Sequence, residues 1–217
     1  MKQQHENLVK DVIKRLAAHQ MTIEKDESEY RSIRFSAPNT VINSFTLTTW
    51  PGYIAISGDL GTYVFCRLPD MFEFFRQSAH GDPMTLFFRQ GAHGDPMTLS
   101  LGYWAEKCVA ADSQHGIRHY SPEKFEEVVM EFARDAAPEV ENPKGLLRAV
   151  EDDLLPFADE GEARGRDAVH NFEYEGKEIF TEFWKVRLEE YSEGFIKACV
   201  AIIWGIRQYD AQRSQAT

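Results

Sequence analysis

Two histidine–aspartate pairs, His80 with Asp82 and His93 with Asp95, are the residues whose types and spacing come nearest to a reactive centre. Two imidazoles and two carboxylates suit zinc or manganese, and so a metal-dependent hydrolase or nuclease. The pairs come from a tandem repeat, however. The 13 residues from Phe74 to Leu86, FFRQSAHGDPMTL, recur from Phe87 to Leu99 with Gly91 in place of Ser78. Duplication alone accounts for the ligand count, and Gly-Asp-Pro is ordinary turn chemistry. His80, Asp82, His93 and Asp95 therefore stand as the alternative reading, behind one with no metal and no other cofactor.

A second constellation is acidic: Glu151, Asp152, Asp153, Asp159, Glu160 and Glu162. Such a run is either a solvated face or a surface whose spaced carboxylates imitate a phosphate repeat and dock on a basic protein groove. Its setting favours basic partners. The chain has 35 acidic and 24 Lys and Arg residues, a net charge of −11. Residues 1–118 carry 13 acids and 12 bases, whereas 119–217 carry 22 acids and 12 bases. A field of that sign repels phosphate backbones, so direct nucleic-acid binding is not expected.

Familiar catalytic signatures are missing. The sequence has no GxxxxGK[ST] loop, no GxSxG elbow, no HExxH and no C-x-x-C. Cys66, Cys108 and Cys199 are odd in number and widely spaced, which reads as reduced thiols rather than a disulfide framework. Cys199 lies among Ile196, Val200, Ile202 and Ile203, where a thiol acts as a small hydrophobe. His115 and His119 stand four apart, but Gly116 intervenes and a shared helical face is not expected. Trp50, Trp104, Trp184 and Trp204 each fall in an apolar periodic segment and are read as core.

The elements that must carry these residues make an α+β fold: an antiparallel meander of three to four strands against an N-terminal helix and a C-terminal group of helices. Leu8, Val9, Val12, Ile13 and Leu16 give the first helix its apolar stripe, expected to lie on a sheet. Strands are predicted near 31–36, 44–50, 53–58 and 61–67, with Pro51-Gly52 and Gly58-Asp59-Leu60-Gly61 as turns. Connections so short force antiparallel pairing. Asp70 is the predicted N-cap of a helix over 71–77.

Helices are also predicted over 102–111, from Ser121-Pro122-Glu123 onward, over 144–155, over 177–190 and over 192–209. Residues 1–211 read as a single domain, with 78–99 a duplicated insertion, either hairpin or loop, and 212–217 a disordered tail. The N-terminus MKQQHENLVKDVIKRL lacks the apolar run of a secretory signal, and the apolar run 195–206 is short of the ~20 residues that span a bilayer. A cytoplasmic protein off the membrane is expected.

The strings GDLGTYVFCRLPDMFEFFR, GYWAEKCVAAD and FIKACVAIIWGIRQYD resemble a phage and prophage protein family of unassigned biochemistry. The resemblance covers about Ser44 to Asp210. In that family's pattern the FFR helix runs to GYWAEK over a short connection, so the second HGDPMTL copy reads as an insertion. The resemblance implies a small accessory protein in a bacterial host cell. Its role would be non-enzymatic, such as inhibiting host defence of restriction or CRISPR type, or a structural or regulatory part in the phage, with self-association into a homo-oligomer favouring the latter.

Overall fold

The computed structural model describes residues 2–76, 85–89 and 96–215. Helix α1 (Lys2–Leu16) buries Val9, Val12 and Leu16, from the predicted stripe, in the core it shares with the sheet, and the C-terminal helix is its main packing partner. Five strands follow: β1 (Gln20–Glu27), β2 (Tyr30–Ser36), β3 (Phe45–Trp50), β4 (Tyr53–Gly58) and β5 (Tyr63–Cys66). On β2 to β5, Ile33, Phe35, Phe45, Leu47, Ile54, Ile56, Tyr63 and Phe65 are all buried, alternating with half-exposed or exposed neighbours. That period of two is what a sheet covered on one face requires.

Asp70 accepts the Phe72 N–H at 2.9 Å and starts α2 (Met71–Arg76), as its position predicts. Beyond it, β6 (Thr85–Arg89) pairs antiparallel with β7 (Pro96–Ser100), and the residues between them lie outside those described. Helix α3 (Leu101–Lys107) is shorter than the predicted 102–111. At Cys108 the backbone turns extended, and β8 (Cys108–Ala110) joins the sheet beside β5. The sheet is thus antiparallel and six-stranded, in the order β1-β2-β3-β4-β5-β8, with the predicted meander at its centre. Strand β1 escaped the sequence pattern because seven of its eight residues are exposed and a bulge interrupts it between Ile23 and Lys25. Charge and a bulge are how edge strands resist pairing with other chains.

After β9 (Arg118–Tyr120), α4 (Pro122–Ala136) begins as predicted, with Ser121 Oγ accepting the Lys124 N–H at 3.0 Å. Then come α5 (Pro143–Asp153), α6 (Glu162–His170) and a small hairpin of β10 (Glu173–Tyr174) and β11 (Lys177–Glu178). The predicted helix over 177–190 is not formed. Its place is taken by β11, a 3₁₀ turn at Phe183–Lys185 and β12 (Glu189–Tyr191). Ile179, Phe180 and Phe183 are buried at helix-like spacing, which misled the periodicity, while Glu182 sits at φ 59° and breaks any regular helix. Helix α7 (Glu193–Gln215) closes the chain and runs through most of the predicted tail.

Read from sequence as one domain, the chain gathers into two compact units, Met1–Ile117 with Tyr191–Thr217, and Arg118–Glu190. Each has its own hydrophobic core. In unit 1, α7 packs against both α1 and the sheet, with Phe195, Cys199, Ile202 and Trp204 buried. Ser192 ties the two chain segments of unit 1 together: its N–H donates to Ile117 O at 3.0 Å and its hydroxyl to Gly116 O at 2.9 Å. In unit 2, Phe183 meets Phe125 and Phe132 edge-on, at 6.3 and 5.5 Å between ring centres.

Two glycines in the meander test this packing. A Cβ on Gly58, at φ 132°, would lie 2.5 Å from Ser44 O and 2.9 Å from the Phe45 Cα, both backbone atoms. Gly52 also has positive φ, but a Cβ there meets nothing within 4 Å. Gly58→Ala should destabilise the protein by about 3 kcal/mol and Gly52→Ala by about 1 kcal/mol, read from urea unfolding midpoints. Equal effects would show that the β4–β5 turn yields.

Candidate functional site

The acidic residues singled out from sequence lie where α5 ends and α6 begins. Leu154 and Ala158 are buried and fasten a 3₁₀ turn over Leu155–Glu160, which leaves Asp159 and Glu160 in water. Gly161, at φ 97°, turns the chain into α6, so Glu162 falls in its first turn, where the helix dipole favours a carboxylate. Glu151, Asp152 and Asp153 are exposed on the last turn of α5.

These six carboxylates do not act alike. Asp152 pairs with Arg148 at 3.5 Å, Glu160 with Arg164 at 3.9 Å and Glu162 with Arg166 at 2.8 Å. The first two pairs are exposed and contribute little to stability, but each cancels charge locally. Glu151, Asp153 and Asp159 have no cationic partner among the described residues. The six therefore form a broken acidic band rather than one continuous unneutralised patch.

Glu162 has a further structural task. Its partner Arg166 donates to Phe183 O at 3.1 Å and Val186 O at 2.7 Å, clamping the 3₁₀ turn of unit 2. The negative field reaches inward at Tyr120, whose hydroxyl donates to Ala158 O at 3.0 Å. Burial raises the Tyr120 pKa above its usual value, and Glu162 and Asp159 raise it further against the opposing charge of Arg166.

The larger electrostatic feature follows the division into units. Residues 118–190 hold 20 acids and 10 bases, a net charge of −10, while the rest of the chain holds 15 acids and 14 bases. Nearly the whole negative charge thus belongs to one structural unit. Another of its carboxylates, Glu175, is committed to structure, accepting the N–H groups of Glu141 and Asn142 at 2.7 and 2.9 Å.

The alternative metal candidates His80, Asp82, His93 and Asp95 lie outside the described residues. Among the described residues, no group of three or more His, Cys, Asp and Glu could hold a metal ion. His115 Nδ1 contacts Asp112 Oδ1 at 3.0 Å, and Asp112 also accepts the Gln114 and His115 N–H groups in a local turn. All three cysteines are free. Burial pushes Cys108 up to about 11 and Cys199 well above its ordinary value, so neither supplies a thiolate nucleophile near neutrality. No helix among the described residues is long and apolar enough to cross a membrane.

Sequence reasoning missed a charged groove in unit 1. Arg31 reaches Asp70 through two hydrogen bonds, at 2.9 and 3.0 Å, and its guanidinium lies 4.7 Å from the centre of the Phe72 ring. Arg76 makes a similar fork to Asp210 at 3.0 and 2.6 Å, and Asp26 receives Tyr209 at 3.0 Å and Arg213 at 2.9 Å. Arginine and carboxylate forks of this kind fix geometry as well as charge. Because carboxylates already engage all three guanidinium groups, the groove is a brace between β1, β2, α2 and α7. Its partners are far apart in sequence, 39 residues for Arg31 and Asp70 and 134 for Arg76 and Asp210, so local patterns carried no sign of them.

Burial pushes the Asp70 carboxyl up, but the Arg31 hydrogen bonds, the Phe72 amide and the nearby guanidinium charges outweigh it and hold it below its usual value. A carboxyl depressed in the folded state stabilises above its unfolded pKa, and that contribution is lost as pH falls through the folded value. Asp70→Asn should cost about 1–3 kcal/mol at neutral pH and flatten the acid limb of the stability profile, measured by urea unfolding from neutral to acidic pH. An unchanged acid limb would remove Asp70 from the brace. In comparisons with known proteins, the chain matches no family model, no curated protein and no solved structure.

Proposed function

We propose that this is a non-enzymatic binding protein whose acidic unit 2 docks on a basic protein surface. The observation that carries the reading is the partition of charge: residues 118–190 have a net charge of −10 in a chain whose total is −11. Uneven charge of this kind steers a cationic partner into encounter and raises the association rate. The field disfavours phosphate backbones, so the partner is a protein rather than the nucleic acid itself.

The resemblance to phage and prophage proteins supports a bacterial host's cytoplasm as the setting. There, defence machinery of restriction or CRISPR type carries the basic grooves that an acidic unit would occlude. The docking surface is taken as the exposed acids of unit 2 at large, with Glu151, Asp153 and Asp159 its unpaired members within the 151–162 segment.

Binding of the full chain to immobilised restriction endonucleases and CRISPR effector complexes, followed by surface plasmon resonance, tests this. For a true partner the association rate should fall at least ~10-fold from low to high salt. Changing Glu151→Gln, Asp153→Asn and Asp159→Asn together should slow it ~3-fold or more, with little change in the salt-independent part. Salt-insensitive binding, or a triple variant with an unchanged association rate, would remove the electrostatic reading.

A further inference from the structure

Trp184 stands apart from the other tryptophans. Trp104 and Trp204 are buried and Trp50 stacks on Tyr53 at 5.2 Å, whereas Trp184 is 73% exposed. An isolated exposed hydrophobe needs no explanation in general, but here the backbone is built so that this side chain must face water. Its neighbour Phe183 is buried in the unit 2 core, so the next residue of the tight turn is directed outward. Glu182 holds a left-handed φ of 59°, a conformation that costs a residue with a side chain about 1 kcal/mol or more. Arg166 then clamps the turn from inside through the carbonyls of Phe183 and Val186. The Lys185 ammonium lies 5.1 Å from the Trp184 ring centre and pairs with Glu182.

A large apolar side chain, carried outward by a clamped backbone turn on an acidic unit, has the form of an interface anchor. Tryptophan is enriched among the residues that carry most of the energy in protein interfaces, and a backbone turn already clamped loses little entropy on docking. The charge of the unit sets the partner's chemistry. Exposed Glu178 and Glu189 lie in the same stretch, where exposed Lys177 and Arg187 offset them and Glu182 pairs with Lys185, so the attraction comes from the net charge of −10 of the unit as a whole. We infer that Trp184 is the apolar anchor of the acidic docking surface and seats in an apolar slot rimmed by lysine or arginine on a partner protein. This rests on the proposed function and adds to it the point of short-range specificity.

The test uses the full-length protein and two synthetic peptides of equal length and charge, one of lysine and serine and the other of lysine and leucine. Isothermal titration at low salt compares the native chain with Trp184→Ala, whose fold is checked by circular dichroism and thermal melting. The lysine–leucine peptide should bind the native chain at least ~10-fold more tightly than the lysine–serine peptide. Trp184→Ala should lose that preference while holding the lysine–serine peptide unchanged.

If neither peptide binds, the acidic reading fails and the anchor with it. If the lysine–serine peptide binds but leucine brings no gain, or the gain survives in Trp184→Ala, the anchor alone is overturned. Sedimentation that finds a dimer lost on Trp184→Ala would also overturn it, by assigning the side chain to a second copy of this chain.

Discussion

A helix that is apolar on nearly every side must be covered on nearly every side, and that requirement organises unit 1. From Phe195 to Ile206 only Lys197 escapes full burial on α7. The stripe of α1 and the inward face of the sheet supply the cover. Close approach is possible because Gly205 has no side chain: a Cβ there would lie 2.9 Å from Leu47 and 3.0 Å from the Phe35 ring. Burying a helix this way stabilises by the hydrophobic effect, but it leaves the end of α7 to be tethered by other means. The forks from Asp26 and Arg76 to Tyr209, Asp210 and Arg213 provide that tether.

Unit 2 solves a different problem, which is to hold a modest core together beneath an excess of like charge. Edge-on rings around Phe183, and Gly165 pressed so near Phe125 that a Cβ would come within 2.8 Å, supply the cohesion. Two carboxylates are committed to structural use: Glu162 through Arg166, and Glu175 on two backbone amides. Others, such as Asp152 and Glu160, are offset by exposed arginines, and those left unpaired repel one another through water, where the interaction is weak enough to tolerate. Carboxylates that brace the unit and carboxylates that face solvent are thus separable by their partners. A run of acidic letters in the sequence does not make that distinction.

The α+β architecture was legible because its strongest signals are local. The alternation in β2 to β5, Asp70 before α2 and Ser121-Pro122 before α4 each depend on residues within a few positions of one another. What was not legible depends on distance or on burial. Strand β1 belongs to the sheet through its pairing with β2, not through its own pattern. The segment from 177 to 190 has helical spacing, but a turn at Glu175-Gly176 and left-handed Glu182 give it a different course. For the candidate site, the acidic excess could be read from composition, whereas its partial neutralisation by Arg148, Arg164 and Arg166 required coordinates. The outward position of Trp184 was hidden by the same mistaken helix.

The hydrogen bonds of Ser192 to Gly116 and Ile117 have a consequence for how the chain tolerates change. They join the strand of chain that departs for unit 2 to the strand that returns from it, so 73 residues leave and re-enter at one gate. With its two ends pinned side by side, such a detour can change length or sequence while the sheet and its long helix stay in register. Substitutions that change the charge of the excursion therefore need not disturb the packing of the sheet against its long helix.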